Sequence, residues 1–126
     1  MTKHLADVAV VVRCKPIVDG PHGIPVPVLS ANAFSSAGLS TVKATDPKQV
    51  NRQKIMLGDV IVGADGSLEH INQANLPIIG RCINDRGYII IRFVSDRDIE
   101  LYLYYLDHIL KEAVESNTMK DVFNDI

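Results

Sequence analysis

At 126 residues, with 47% hydrophobic and 22% charged side chains, the chain has the size and balance of one ordinary globular domain. Its formal charge of −2 excludes a generic nucleic-acid coat, and no run reaches the roughly 18 apolar residues that a membrane helix needs. Met1-Thr2-Lys3-His4 has no small-residue cleavage site behind an apolar run, so no signal peptide is read and the cytoplasm is the expected compartment.

In chain order, Leu5 to Val12 is a near-continuous apolar run rich in valine and reads as a buried strand. Cys14 and Cys82 stand far apart outside any CxxC pair, which fits reduced thiols. Residues 16–27 are dense in Pro and Gly and read as extended or turning chain, with a short strand over Val26 to Ser30. Residues 30–38 read as a loop or one helical turn. Asp46-Pro47 resembles an N-cap with Pro at the first helical position, which predicts a short helix over about 47–53. Gly58 ends that segment, Asp59 to Val62 reads as a strand, and the polar stretch Gly63 to Asn75 as a long loop. Leu76 to Ile79 and Tyr88 to Val94 read as two strands joined by the turn Asn84-Asp85-Arg86-Gly87.

The strongest helical signal comes last. Ile99, Leu103, Leu106, Ile109, Leu110 and Ala113 recur at threes and fours, with Asp96 or Asp98 as cap and a stop near Ser116-Asn117. Tyr102, Tyr104 and Tyr105 cannot all face inward. Strands first and a late helix predict the α+β class. The expectation is one domain, residues 1–126, with a twisted, mostly antiparallel or mixed sheet, short helices and one longer C-terminal helix over about 98–115.

Enzyme signatures are sparse. His4, His22, His70 and His108 are scattered, with no HExxH and no Cys/His spacing for zinc. There is no phosphate-cradling glycine motif and no GxSxG elbow. Asp46, Lys48 and Asp59 offer a weak metal-nuclease pattern, and Asp65, Glu69 and His70 a weak acid–base cluster. No catalysis, metal or cofactor is expected.

Four stretches, in order, resemble the target-recognition domain of type I restriction-modification specificity subunits. They are Leu5-Ala-Asp-Val-Ala-Val-Val; Asp19-Gly-Pro-His-Gly-Ile-Pro with Val26-Pro-Val-Leu-Ser-Ala-Asn; Leu57-Gly-Asp-Val-Ile-Val-Gly-Ala-Asp-Gly-Ser; and Ile89-Ile-Ile-Arg-Phe with Ile99-Glu-Leu-Tyr-Leu-Tyr-Tyr-Leu. Ser116 to Phe123 is a looser match to the segment that follows. The weight lies in the order and spacing, which cover residues 5–124. Two departures stand out. Gly63-Ala64 replaces the basic or hydroxyl pair usual before Asp-Gly-Ser, and the chain corresponds to one of the family's two domains.

The resemblance implies a non-catalytic module that reads base edges of duplex DNA at one half-site, while methyltransferase and restriction subunits do the chemistry. Residues 1–64 hold seven Lys/Arg and four Asp/Glu, and residues 65–126 six and eleven, so the first half suits phosphates and the second a protein partner. Lys43, Lys48, Arg52 and Lys54 form the expected phosphate edge. Ser67, His70, Asn72, Gln73 and Asn75, with Arg81 and Arg86, are the expected base readers. Asp19, His22, Gly58 and Asp59 are expected to shape loops. The alternatives are a protein-interaction module that binds methyltransferase or specificity subunits and a small metal-dependent nuclease; a homodimer is open to either binding reading.

Overall fold

The computed structural model describes residues 5–29 and 39–126. The loop predicted at 30–38 lies outside the described residues.

Leu5–Val8 is a single helical turn, α1, and the first strand, β1, spans only Ala9–Arg13. The strand was expected from Leu5, and the ladder explains the shift. Ala9 opposes Phe93, the last residue of the partner strand, and the Val94 N–H to Val8 carbonyl bond (2.8 Å) ends the pairing. Upstream β7 offers no further residue of strand to pair with, and Leu and Ala accept a helical turn readily.

The proline-rich stretch, expected as extended or turning chain ahead of a short strand from Val26, is a long strand, β2, Asp19–Leu29, that begins seven residues earlier than that strand. It pairs antiparallel with β3, Leu39–Ala44. Asp19 and Ile24 both oppose Ala44, so residues 20–23 bulge out between them. Pro21, Pro25 and Pro27 keep the backbone extended. They are tolerated because, among the described residues, the other side of β2 is paired only at Val28 and Leu29, in parallel, with the two-residue β6, Cys82–Ile83.

The helix α2, Pro47–Gln53, forms as expected, with the Asp46 carboxylate accepting from the Lys48 and Gln49 amides at 3.1 and 3.3 Å. Strand β4 is Val60–Gly63. The expected loop 63–75 holds two elements instead: β5, Leu68–His70, which folds back on β4, and a 3-10 turn at Gln73–Asn75. Leu76 to Ile79 is turn rather than strand. Its apolar residues serve the core without alternating, as Ile78 does. Consequently the segment 84–87 does not close a hairpin; it carries the chain from β6 to β7, Tyr88–Phe93, in a different sheet.

Helix α3 spans Asp96–Ser116 and α4 Met119–Asp125. The α3 cap is Ser95, whose hydroxyl accepts from the Arg97 N–H at 3.3 Å, and not either aspartate. Asp96 and Asp98 fall in the first turn, where negative charge suits the helix dipole. Asn117, left-handed with φ 59°, ends the helix.

Two sheets result: an antiparallel one ordered β1-β7-β4-β5 and a mixed one ordered β3-β2-β6. Val60, Val62, Ile89 and Ile91 pack against Ile99, Leu106 and Leu110 of α3, with Val122 and Phe123 of α4 at the margin. The opposite face, through Val12, Ile61 and Ile90, meets Leu29, Ile55, Ile78 and Ile83. Burial on both faces is why β4 and the Ile89–Ile91 stretch of β7 are continuous apolar runs rather than alternating ones. Val50 of α2 closes a third cluster with Ile17, Val28, Ala44 and Cys82. Tyr102 is buried while Tyr104 is 82% exposed and Tyr105 58%. The fold is α+β, with short helices and one long C-terminal helix.

Candidate nucleic-acid interface

The basic surface begins with how α2 is held. Gln49 and Gln53 lie one helical turn apart on its inner face and are 7% and 3% exposed. Gln53 accepts from the Lys15 N–H (3.1 Å) and donates to the carbonyls of Lys15 (2.7 Å) and Ile83 (2.8 Å). Gln49 accepts from the Val18 N–H (2.9 Å) and donates to the Pro16 carbonyl (3.0 Å). A segment without strand partners thereby has its backbone satisfied by side chains. The outer face of α2 presents Lys48 and Arg52, also one turn apart and exposed, with Lys43 exposed on β3. None of the three enters an ion pair among the described residues.

The C-terminal end of α2 is tied down by a buried charge pair. Gly58, at φ 90°, reverses the chain so that the Asp59 N–H returns to the Met56 carbonyl (3.1 Å). The Asp59 carboxylate accepts from the Met56 N–H (2.9 Å) and, through both oxygens at 3.3 Å, from Arg92 Nε. The same guanidinium donates to the Lys54 carbonyl and, at 3.5 Å, to that of Asn51. Burial pushes the Asp59 carboxyl up, while the Met56 N–H and then Arg92 pull it back. Arg92, on an otherwise apolar strand, thus meets a carboxylate and fastens α2 to β4 and β7.

Beyond this knot the chain reaches the expected base-reading loop. Ile55 bonds Gly80 and Arg81 backbone at 2.8 Å each, which sets Lys54 beside the 76–81 turn. Two of the amides there are engaged in the loop's own structure. Asn72 Oδ1 accepts from the Ala74 N–H (2.8 Å), and Asn75 Oδ1 accepts from the Asn72 N–H (2.9 Å) while its amide donates to Glu69 (3.4 Å). Gln73 is exposed at the tip and His70 half-buried. Arg81 donates to the carbonyls of Pro77, Val28 and Ser40, which makes it a brace between loop and sheet.

Ser67 and Arg86 lie elsewhere. The Ala64 N–H to Gly87 carbonyl bond (2.8 Å) joins their two turns at the other end of β4, a four-residue strand, so roughly 13 Å separates them from the Asn72 turn. The expected reader set is therefore split between two ends of the sheet. Asp19 is exposed at the start of β2 and His22 is exposed within the 20–23 bulge, the one irregular stretch of that strand.

Close packing accounts for the glycine at position 63. A Cβ there would sit 2.3 Å from Ser67 Oγ and 2.5 Å from Asp65 Oδ1. The Ser67 hydroxyl, and after it the Ser67 N–H that Asp65 accepts at 3.0 Å, hold the Asp65 carboxyl below the ordinary range. Gly63→Ala forces those side chains apart; the expected loss is about 1 kcal/mol, one hydrogen bond's worth, read as a lower urea midpoint with unchanged slope.

Asp46 caps the start of α2 and Asp59 is bound at its far end, roughly 10 Å away along a seven-residue helix, so they do not converge on one ion. Among the described residues no three His, Cys, Asp or Glu side chains are grouped to hold a metal, and no helix is long and apolar enough to cross a membrane. Cys14 and Cys82 are free and buried, and burial pushes the Cys14 thiol up to about 12. Sequence reading missed Gln49 and Gln53, although two amides at i,i+4 beside the apolar Val50 mark a face that turns inward. A scan of family models, a search of curated proteins and a search of solved structures each found no match for the chain.

Proposed function

We propose that the chain is a DNA-recognition module of the type I specificity kind: it reads duplex DNA, and partner methyltransferase and restriction subunits, in the cytoplasm, perform the chemistry. The observation that supports this most is α2. Its inner face is fixed by two buried glutamines, and its outer face shows Lys48 and Arg52 free of ion pairs among the described residues. A rigidly mounted basic helix neutralises phosphates and fixes register, Lys54 at its C-terminal end adds a further cation, and the exposed Gln73 is the amide assigned to base edges.

The test is a titration against a pool of random duplexes at low and moderate salt, with sequencing of the bound fraction. A short motif that survives moderate salt is the expected result. Lys48→Ala and Arg52→Ala should each lower the slope of log affinity against log salt by about 0.9 and weaken all sequences alike. Binding that disappears with salt and enriches no motif defeats the reading.

One observation favours the second reading, a protein-interaction module. Leu101, Tyr104 and Tyr105 stand exposed together on α3, a helix with six Asp/Glu and two Lys/Arg. Tight binding to a methyltransferase subunit without DNA affinity is its signature.

A further inference from the structure

We propose that β1 is a docking edge, to which an extended acidic segment of a partner protein adds as a further strand. The proposal does not rest on the DNA reading, although both use the exposed Arg52. β1 is the terminal strand of its sheet, and no second strand pairs with it among the described residues. The Val94 N–H to Val8 carbonyl and Cys14 N–H to Tyr88 carbonyl bonds turn the even-numbered residues of β1 toward β7. Antiparallel alternation then points the N–H and C=O groups of Val11 and Arg13 the other way. A groove of about 450 Å³ lies against β1, lined by the consecutive residues Val10 to Arg13 and by Arg92 of β7 on one side, and by Lys15, Val18 and the α2 segment from Asp46 to Gln53 on the other.

Ala-Val-Val-Val-Arg is a strand that pairs readily, and Val10 is 58% exposed. Bare edges of this kind are templates for another strand unless a charge, proline or bulge blunts them. The charge on β1 is Arg13, and its guanidinium is drawn aside onto the carbonyls of Phe123, Asn124 and Ile126.

Space and charge select the occupant. The wall formed by α2, pinned through Gln49 and Gln53, leaves room for a strand rather than for the whole sheet of a second copy. Lys15 and Arg52 line the groove, exposed and in no ion pair among the described residues. The carboxylate that lines it, Asp46, is occupied by the α2 amides. Strand side chains alternate, so a segment with apolar residues over Val10 and Val12 and carboxylates toward Lys15 and Arg52 matches both features. The valine floor suits a peptide better than a duplex.

The experiment follows backbone amide exchange in the whole chain with a short blocked peptide of alternating valine and glutamate. The N–H groups of Val11 and Arg13 should be protected by at least about tenfold. The Lys15→Glu, Arg52→Glu double variant, changed at two exposed positions, should fold and lose that protection, and a valine–lysine peptide should give none. Val11→Pro removes an outward N–H at an edge position that tolerates proline, and should abolish protection of Arg13 with little change in melting. The proposal fails if the valine–lysine peptide protects equally, if Val11→Pro leaves the effect intact, if saturating peptide protects neither amide, or if duplex DNA protects them and the peptide does not.

Discussion

Asp59→Ala should destabilise the chain by about 3 kcal/mol, the lower end of the range for removing one partner of a buried ion pair. Asp59 is 3% exposed, and its removal leaves the Met56 N–H and the Arg92 guanidinium without their acceptor. The lower end applies because the Arg92 side chain is 25% exposed and retains the Lys54 carbonyl. For a domain of this size the melting temperature should fall by about 10 °C. Arg92→Met alone should cost at least as much, since it strands a buried carboxylate. The double variant should recover part of the loss, because an apolar pair of similar volume needs no desolvation. The recovery stays partial because the Lys54 and Asn51 carbonyls also lose their donor. Additive losses in the double variant would mean that the two side chains are not coupled, and the assignment of this pair as the fastening of α2 would fall.

The elements that sequence made legible are those decided locally. The α2 cap needs only Asp46 and Pro47, and α3 needs only its own period of apolar residues. Its inward and outward tyrosines follow from the same period, though which one goes in depends on packing: Tyr102 meets Phe93 with ring centroids 5.7 Å apart. What stayed hidden depends on partners distant in sequence. Leu5 to Val8 has strand-like residues, but β7 ends before it can pair with them. Leu68 to His70 looks like polar loop, yet β4 offers it an edge. The site divides the same way. Asparagine suits a turn as well as it suits the reading of bases, and the short-range backbone bonds of Asn72 and Asn75 hold them in the first role. Arg81 becomes a brace only because β2 and β3 bring carbonyls from Val28 and Ser40 to it.

The glutamines lead to the second large effect. Gln53→Leu keeps roughly the side-chain volume but removes the donor to Lys15 and Ile83 and the acceptor for the Lys15 N–H. Each buried backbone group left alone costs about 1–3 kcal/mol, so a loss of about 3 kcal/mol is expected, seen as a lower urea midpoint. Gln49→Leu, with one donor and one acceptor bond to the 16–18 segment, should cost less. DNA affinity should fall in Gln53→Leu at temperatures where the chain is still folded, because α2 is no longer fixed. On the proposed DNA reading the salt slope should not change, since the variant keeps Lys48 and Arg52, the side chains assigned to phosphates. That pairing of results separates positioning from contact: Lys48→Ala lowers the slope with stability intact, and Gln53→Leu lowers stability with the slope intact. If Gln53→Leu melts like the parent, the amide bonds do not hold α2, and the rigidity on which the DNA reading relies must come from Val50 and the Asp59–Arg92 pair instead.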